Sequence, residues 1–588
     1  MVPKNRSQIF YALIVFCLLF SSCAPQPTAI PISTQPIPVT SPIAVPTDAP
    51  TATPSPIGLQ LGNAVPASLR EQAQGWNVPA NSFITLNVAT SETSVTATQI
   101  PWVYALVAPF PTVTDGVSAD ELKNAWLHGE IPAAFNGQPL LMDDATQAAF
   151  TALWGESAAD AVRIIPADQL LDTAWSELPS WAIIPFESLG KKWKVLTIDG
   201  QSPIRKKFDQ ATYPLVVSFA LQTSADIQPS ALNLQPNYDP AKLTTIIMTG
   251  ITALVRATAY TMEMKGVKYP GELVRDTMLE ADIAHVANHV PFYTGCHFPR
   301  PDQAALVFCS DPKYIDLFTD IGVDLVELTG HHFEDYGAKA TLETLEIYKS
   351  HNIVYFGGGA DKQDAIKPAL FEDHGNKIAF IGCNRLDTGG PATATDSLPG
   401  AAPCDFAYLQ QEIAQLRSAG YVVIATNHWN QTYDYLPNPQ QVIDFRLMAD
   451  WGACLVLGSQ AHYAQTMEFY NDTFIHYGQG NLFFDQMGDQ DWMPKGIRRE
   501  FLDRYVIYDG KIISIELITA MLEDYSRPRL MTEQERAGFL QEYFYKSGWT
   551  PLNPTPTPTI TPTLTPLSIP TLSGAANVQS SSTVTPTP

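Results

Sequence analysis

The chain has 588 residues, of which 45% are hydrophobic and 16% charged, so it is long enough for two or more domains with buried cores. Its formal net charge is −24 and its sequence pI is about 4.8. This acidity argues against a broad basic surface, and therefore against a protein that binds nucleic acid or another polyanion through such a surface.

The first 23 residues have the pattern of a secretory signal. Lys4 and Arg6 precede the apolar run 9–20, which is too short for a comfortable membrane span, and Cys23 follows two serines. This arrangement resembles the processing site of bacterial lipoproteins. We therefore predict a signal peptide over residues 1–23, a lipid on Cys23, and a protein anchored to the extracellular face of the cell membrane. The alternative is an ordinary signal peptide in which Cys23 has no role.

Residues 24–58 and 551–588 are rich in proline and threonine and nearly free of charged side chains. Because proline fixes φ and removes a hydrogen-bond donor, we predict an extended linker over the first segment and a disordered tail over the second. Between them we predict two folded domains, at residues 59–236 and 239–550.

The predicted domain 59–236 has the pattern of a small α/β domain. The apolar run 102–110 predicts a buried strand. Ser118, with Glu121 three residues later, predicts the start of a helix that ends before Gly129.

Two segments of this domain, residues 104–129 and 180–203, resemble parts of the phosphate-type periplasmic solute-binding proteins. The resemblance implies a binding or adaptor module.

In the predicted domain 239–550, strands and helices alternate, which is typical of an α/β fold. DLVELTG, beginning at Asp324, predicts a strand, and the helix after it carries Leu342, Leu345 and Tyr348 on one side. Further strands are predicted at IVYFGGG, IAFIGCN, YVVIATNHW, CLVLGSQAH, TMEFYN and TFIHYGQGNLFFD.

Five cysteines remain outside the predicted signal and lipid site. Cys296 and Cys309 flank one short loop. Cys383 and Cys404 flank another. In an extracellular protein such spacings favour two local disulfides, and a zinc site is the weaker alternative because no CxxC pair is present. Cys454 lies in an apolar run and is predicted to be a buried free thiol.

Polar side chains follow several predicted strands at the point where each strand ends. In open α/β sheets, ligands bind beyond the carboxyl ends of the strands, so we expect these side chains to converge. Imidazoles, carboxylates and amide oxygens are ligands for Zn, Mn or Fe, and such a metal polarises a phosphoryl or acyl oxygen and activates water. The side chains are those of Glu327, His331, His332, Asp335, Asn427, His428, His462, Asn481 and Asp485.

A structural interpretation stays open beside the functional one. A single histidine near a strand end is more often a capping or core residue, and Asp335 is well placed to cap the helix that follows it. His332, His428 and His462 share one topological place, and for them neither interpretation is preferred. The histidines to which we assign a structural role are His297, His351, His374 and His476.

Four segments of the second domain resemble the CapA family of capsule synthesis proteins. They are residues 248–256, 281–292, 322–361 and 421–486, in the order and spacing of that family. The resemblance implies a calcineurin-like metallophosphatase fold, which is a two-sheet sandwich flanked by helices, preceded here by the smaller α/β domain. It also implies a part in poly-γ-glutamate capsule production.

Residue by residue, the resemblance implies several roles. His332, Asp335 and His428 would be catalytic. His332, His428 and His462 would bind a metal ion. Other binding roles would belong to Asn288, His289, His331, Asn427, Asn481 and Asp485.

The chain departs from the family where a metal pair would be held. Ile251 follows Gly250 where the family has aspartate, and Asn288 is followed by His289 without the family's glutamate. A two-metal centre needs a bridging carboxylate between cations about 3.5–4 Å apart, which Ile251 cannot supply. We therefore predict either one divalent ion (Zn, Mn or Fe), with His289 or His331 as replacement ligands, or an inactive scaffold.

Three functions stay open. The first is a lipid-anchored CapA-like protein in capsule or surface-polymer biosynthesis, with the polymer or its export machinery as partner. The second is a metal-dependent phosphoesterase or other hydrolase acting on cell-envelope substrates. The third is a non-catalytic lipoprotein that binds a small ligand. Because the protein is acidic, contact with an acidic polymer would need bound cations or a local basic groove. None of the three involves nucleic acid.

Overall fold

A computed structural model of the protein describes residues 57–90, 97–385, 392–488 and 496–549. The predicted signal peptide, the lipid site at Cys23, the linker up to residue 56 and the predicted tail lie outside these residues. In the described part of the chain, no helix is both long enough and apolar enough to span a membrane.

The first part of the described chain forms an eight-stranded sheet and a separate two-stranded pair. The strands, in chain order, are β1 (Gly58–Leu61), β2 (Phe83–Val88), β3 (Thr98–Pro109), β4 (Gly116–Val117), β5 (Leu140–Met142), β6 (Val162–Ile164), β7 (Trp181–Pro185), β8 (Trp193–Val195), β9 (Thr197–Ile198) and β10 (Val216–Thr223). The order in the large sheet is β1-β2-β10-β3-β7-β5-β6, with β8 also paired to β3, and β4 pairs with β9. The helices are α1 (Ala67–Gln74), α2 (Ala119–His128), α3 (Asp144–Trp154) and α4 (Leu170–Ser176).

Strand β3 has both faces buried, which explains its continuous apolar sequence. Trp102 and Tyr104 face one core of this part of the protein, and Val103 and Ala105 face the other. The strand predicted at residues 102–110 is therefore confirmed.

Helix α2 begins and ends where the sequence predicts. The Ser118 hydroxyl oxygen accepts a hydrogen bond from the Glu121 backbone N–H at 3.1 Å, and the Glu121 carboxylate accepts from the Ser118 backbone N–H at 2.8 Å. Gly129 ends the helix in the left-handed region, with φ of 71°. These two caps satisfy backbone groups that would otherwise lack partners.

The second part of the described chain forms two large sheets. The strands, in chain order, are β11 (Leu243–Thr249), β12 (Ile251–Thr252), β13 (Ile283–Asn288), β14 (Leu325–Glu327), β15 (Val354–Phe356), β16 (Gly358–Gly359), β17 (Ala369–Asp373), β18 (Asn376–Asn384), β19 (Gly400–Ala401), β20 (Val422–Thr432), β21 (Leu455–Ala461), β22 (Met467–Tyr470), β23 (Thr473–His476), β24 (Asn481–Phe483), β25 (Arg499–Tyr508), β26 (Lys511–Glu523) and β27 (Arg527–Leu530). A nine-stranded sheet has the order β15-β14-β13-β11-β25-β26-β27, with β12 joined to β13 and β24. A six-stranded sheet has the order β17-β18-β20-β21-β23-β22, and β16 pairs with β19.

The two large sheets enclose one apolar core. Met248 and Tyr505 reach it from the nine-stranded sheet, and Phe380 and Ile424 reach it from the six-stranded sheet. Helices cover the outer faces through further cores of their own, except the last helix, which contributes Phe539 and Tyr543 to the core between the sheets. The helices are α5 (Arg256–Lys265), α6 (Arg275–Leu279), α7 (Ile315–Asp320), α8 (Gly337–Ser350), α9 (Lys362–Ala365), α10 (Phe406–Ser418), α11 (Pro439–Asp450) and α12 (Glu533–Lys546). The predicted α/β class, a two-sheet sandwich flanked by helices and preceded by a smaller α/β part, is confirmed.

One predicted strand is wrong in its extent. The segment TFIHYGQGNLFFD forms two strands, β23 and β24, which belong to different sheets. The chain crosses between the sheets at Gly480, whose φ is 85°. A Cβ atom on Gly250 would lie 2.1 Å from the carbonyl oxygen of Gly480, so only glycine fits where the two backbones meet.

The two parts of the described chain share a core. Val107 and Ile184 of the eight-stranded sheet pack in one cluster with Val506 of β25 and Ile513 of β26. The predicted domain boundaries stay a prediction.

Both predicted disulfides are present. Cys296 is bonded to Cys309, and Cys383 at the end of β18 is bonded to Cys404 just before α10. Cys454 is a free thiol, but it is only partly buried, because it precedes the buried strand β21 instead of lying within it.

Candidate functional site

The carboxyl ends of four strands meet at one edge of the sandwich. Strands β13 and β14 run parallel in the nine-stranded sheet, and β20 and β21 run parallel in the six-stranded sheet. Parallel strands end on the same side, so the residues that follow them are brought together. The histidines placed in this way are His289 after β13, His331 and His332 after β14, His428 late in β20 and His462 after β21.

A cleft of about 960 Å³ opens at this edge. Four imidazoles line it, and His428 lies directly behind two of them. Phe308 and Phe484 supply apolar walls, and Arg256 and Asp485 supply opposite charges. The lining also contains uncharged polar side chains, which are those of Tyr260, Tyr433, Tyr525, Gln303, Gln431, Gln460 and Gln486.

The imidazoles contact one another. Nδ1 of His331 lies 3.1 Å from Nε2 of His428, which is a hydrogen-bond distance. The rings of His331 and His332 have their centroids 4.0 Å apart, and those of His289 and His428 are 4.8 Å apart. The predicted convergence of histidines from different strands is therefore what the structure shows, while their chemical roles stay predictions.

Asp335 orients His332. Its Oδ2 atom lies 2.7 Å from Nδ1 of His332 and also accepts a hydrogen bond of 2.7 Å from the backbone N–H of Phe308. The alternative role as a cap of α8 is not observed, because Tyr336 stands at the N-cap and no side chain caps that helix.

His462 is held by stacking and by an amide. Its ring stacks on Tyr433 and Phe484, with centroids 5.5 and 5.1 Å away, and its Nδ1 lies 2.8 Å from Oδ1 of Asn481. The Nδ2 group of Asn481 in turn donates to Gln486 at 3.2 Å. Since an amide oxygen only accepts, Nδ1 of His462 carries the hydrogen and Nε2 has a free lone pair.

Asp485 is paired with Arg256. The two side chains form an ion pair, and Asp485 also accepts from the backbone N–H of Ala257 at 3.1 Å. The guanidinium lies over the rings of Phe308 and Phe484, at 5.4 and 5.0 Å from their centroids. Asp485 therefore fixes one wall of the cleft.

Two predicted binding residues point elsewhere. Asn427 precedes His428 in β20, and successive side chains of a strand face opposite sides, so its amide lies on the helix-covered face near Cys404, 3.9 Å away. The amide of Asn288 donates to the hydroxyl of Tyr348 in α8 at 2.7 Å. These two side chains do not line the cleft, so the expectation that Asn427 converges with the histidines is wrong, while the binding roles of both residues stay predictions.

Burial keeps four of the histidines neutral. It lowers the pKa of His289 and of His428 well below the ordinary value, with neighbouring imidazoles adding to the effect. It lowers the pKa of His331 to about 3 and that of His462 to about 4. At neutral pH these rings offer lone pairs and N–H donors instead of positive charge.

Neutral imidazoles are ligands that Zn, Mn or Fe accept, so the donor chemistry fits a single divalent ion. The residues do not fit a two-metal centre, because Ile251 lines the cleft with an apolar side chain where a bridging carboxylate would be needed. The predicted ligands His332, His428 and His462 are also not gathered around one point. Within the ranges that the structure describes, the three ligand-type side chains with ligand atoms within 4.8 Å of one another are those of Asp282, Asp373 and His374.

That second group lies at the amino ends of β13 and β18, away from the cleft. Nζ of Lys206 lies 2.6 Å from Asp282, and Asp373 accepts from Thr244 at 2.7 Å. Nδ1 of His374 lies 2.7 Å from Asp373. These contacts account for the group without an ion and agree with the structural role predicted for His374.

Sequence reasoning missed the contribution of the disulfide-bonded loop 296–309. Leu306 and Phe308 line the cleft, and the ring of Phe308 lies 4.8 Å from that of His332. The cysteine spacing predicts a disulfide that restrains the loop, but no pattern in the sequence indicates which part of the protein the loop packs against. Arg256 was also missed, although it closes the first segment that resembles the CapA family.

Residues 245–486 match the family described as bacterial capsule synthesis protein PGA_cap. The capsule biosynthesis protein CapA of Bacillus anthracis is 31% identical over 173 residues, which are 28% of this chain and 41% of that protein. The PGA biosynthesis protein CapA of Bacillus subtilis (strain 168) is 30% identical over 178 residues, which are 30% of this chain and 47% of that protein. The match thus spans less than half the length of these curated relatives.

Among solved structures, the NAD nucleotidase NadN of Haemophilus influenzae is similar with 12% identity and a TM-score of 0.30, over 52% of this chain and 56% of that one. The segment matched by the family contains all five histidines of the site and the strands that hold them. The match to the bacterial capsule synthesis protein family therefore covers residues 245–486, the part of the chain that forms the cleft.

Proposed function

We propose that this protein takes part in the biosynthesis of a capsule or another extracellular polymer of the poly-γ-glutamate type. The observation that carries the proposal is that residues 245–486 both match the capsule synthesis family and contain the four histidines that line the cleft. The two CapA relatives are named for capsule and PGA biosynthesis.

The cleft offers a polyamide chain mostly uncharged partners. Burial lowers the pKa of His289, His331 and His462, which are therefore neutral, and Arg256 is already paired with Asp485. Imidazole and glutamine side chains both donate and accept hydrogen bonds, as the amide groups of such a polymer do. Because the protein has a net charge of −24, we expect an anionic polymer to bind only when cations screen or bridge the charges.

A second candidate function is that of a metal-dependent hydrolase. The observation that favours it is the pair of His332 and Asp335 beside neutral imidazoles. With Nδ1 of His332 turned to Asp335, Nε2 is left for a reacting group. A divalent ion would supply polarisation of a phosphoryl or acyl oxygen, and the neutral nitrogens of His331 and His462, which line the cleft, would hold it.

We further propose that the protein works at the extracellular face of the cell membrane, held there by a lipid on Cys23. The pattern of residues 1–23 supports this location. The two disulfides support it as well, because such bonds persist in oxidising compartments. The partners would be the polymer or its export machinery.

The proposed function is tested by titrating the purified full-length chain with poly-γ-glutamate, with and without Mn²⁺ or Zn²⁺. We expect binding that a His331→Ala, His462→Ala double variant weakens at least about tenfold, which corresponds to ~1.4 kcal/mol. The matched control is His351→Ala, at the exposed end of α8. Absence of binding under all of these conditions, or equal binding by the double variant, would refute the proposal.

A second assay addresses the hydrolase. Turnover of a chromogenic phosphodiester should require added metal and should fall about 10²–10⁴-fold in His332→Ala, which is the usual contribution of a positioned acid or base. Turnover that does not respond to the metal or to this substitution would exclude the role given to His332.

A further inference from the structure

A buried carboxylate lies behind the cleft and has no role in the proposed function. Glu327 is the last residue of β14, and only 2% of it is exposed. The hydroxyls of Ser459 and Thr329 both donate to its Oε1, the former at 2.9 Å. Nε2 of His285 lies 3.5 Å from Oε2. Two hydroxyls therefore donate to Glu327, so it acts as an acceptor.

The orientation of His285 is set independently. Its Nδ1 faces the backbone N–H of Thr249 at 3.4 Å. A backbone N–H only donates, so Nδ1 of His285 is the acceptor and the ring hydrogen lies on Nε2, toward Glu327.

A chain of polar contacts leads from Glu327 to the cleft. Ser459, whose hydrogen is used on Glu327, lies 3.4 Å from Nδ1 of His428 through the same oxygen. On the other side of that ring, Nε2 of His428 lies 3.1 Å from Nδ1 of His331, which lines the cleft.

The position of each hydrogen follows from the previous one. Because the Ser459 oxygen has given its hydrogen to Glu327, it can only accept from His428, so His428 carries its hydrogen on Nδ1. A neutral imidazole has one N–H, so Nε2 of His428 is a lone pair and Nδ1 of His331 must donate to it. The hydrogen of His331 is then on Nδ1, and its Nε2 is bare.

We propose that Glu327 and Ser459 are positioning residues that set the tautomers of His428 and His331, leaving Nε2 of His331 as a hydrogen-bond acceptor in the cleft. A ligand group that carries a hydrogen, such as an amide N–H or a water molecule, would be recognised there. The tautomers depend on contacts inside the protein, so this inference does not rest on which polymer the cleft binds.

The test is a two-bond ¹⁵N–¹H correlation spectrum of the full-length chain labelled with [¹⁵N]histidine, with the His331 signals assigned from their loss in His331→Asn. We expect Nδ1 of His331 to be protonated and Nε2 to be unprotonated in the wild-type protein. A wild-type spectrum with the hydrogen on Nε2 overturns the proposal before any variant is needed.

Variants then test the chain of contacts. In Ser459→Ala, His428 loses its acceptor, and the Nε2 signal of His331 should move toward the protonated position. Ser514→Ala, a buried serine of β26 away from the cleft, is the matched control and should leave the His331 signals unchanged. Identical His331 signals in wild type and Ser459→Ala overturn the role of Ser459. Failure to bind poly-γ-glutamate would leave these spectra unaffected, so the two proposals fail separately.

Discussion

Asp335 connects two parts of the site through one carboxylate oxygen. It faces Nδ1 of His332 and the backbone N–H of Phe308, each at 2.7 Å, and so holds the disulfide-bonded loop against the histidines. A single carboxylate that accepts hydrogen bonds from two segments of the chain therefore stabilises this wall of the cleft.

We expect Asp335→Ala to lower the free energy of unfolding by about 1–3 kcal/mol, because it leaves the half-buried N–H of Phe308 without its acceptor. Asp335→Asn should cost less, since an amide oxygen still accepts that hydrogen bond. Urea denaturation of both variants measures the difference. Equal losses in the two variants would mean that the contact with Phe308 contributes nothing.

Glu500 of β25 is a buried acid whose carboxyl oxygens have no hydrogen-bond partner among the described residues. Burial raises its pKa well above the ordinary value, so the folded protein holds a proton on Glu500 that the unfolded chain releases above about pH 4.3. The contribution of Glu500 to the free energy of unfolding therefore falls as the pH rises above that value. Each pH unit costs up to about 1.4 kcal/mol until the raised pKa is reached.

Glu500→Gln removes this dependence and should be more stable than the wild-type protein at pH 7. The advantage should shrink toward pH 5, where the wild-type side chain is protonated in more of the unfolded chains. Thermal unfolding at both pH values measures it, with the exposed Glu372→Gln as control. An advantage that is the same at both pH values would contradict the assignment of a protonated Glu500.

The residues of the site show what sequence could and could not predict. The convergence of the histidines could be predicted, because each follows or ends a strand and parallel strands end at one edge. The failure at Asn427 arises from the two-residue period of a strand, since only the register decides which of two neighbours faces the cleft. Glu327 was predicted as a polar residue at a strand end, but its contact with Ser459 has no local signal, because it joins strands of different sheets.

At the scale of elements, the caps were the most dependable signal. The capping box of Ser118 and Glu121 is local chemistry, so it survives whatever tertiary context surrounds α2. The opposite case is the pair β23 and β24, which read as one strand in the sequence. Their separation depends on the crossing at Gly480 between two sheets, and it is this crossing that brings Asn481 to His462.

Ser118→Ala should destabilise the protein by about 0.5–2 kcal/mol, because it removes the hydroxyl oxygen that accepts from the Glu121 backbone N–H. The control is Ser350→Ala, an exposed serine at the end of α8 that caps no helix start. Chemical denaturation measures both. A loss in Ser118→Ala no larger than in the control would show that α2 does not need its cap.

At the scale of the whole molecule, a charged network joins the eight-stranded sheet to the sandwich. Nζ of Lys194 in β8 lies 2.7 Å from Asp115, and Arg536 of α12 donates twice to the same carboxylate, at 2.8 and 2.9 Å. Only 12% of the Lys194 side chain is exposed. The negative charge of Asp115 offsets the free energy that it costs to bury this cation.

Asp115→Asn should therefore weaken the attachment of the two parts. Burial lowers the pKa of Lys194 to about 8, against about 10.4 in an unfolded chain, so between these values the folded protein holds fewer protons and becomes more stable as the pH rises. Without the carboxylate, a charged Lys194 costs more free energy in the folded protein.

We expect Asp115→Asn to lower the free energy of unfolding by about 1–2 kcal/mol at pH 7, less than for a fully buried pair because Asp115 is half exposed. The deficit should shrink toward pH 10, where Lys194 is neutral. Denaturation at both pH values, with the exposed Asp168→Asn as control, measures the change, and a deficit that stays constant with pH would assign the effect to Arg536 instead of Lys194.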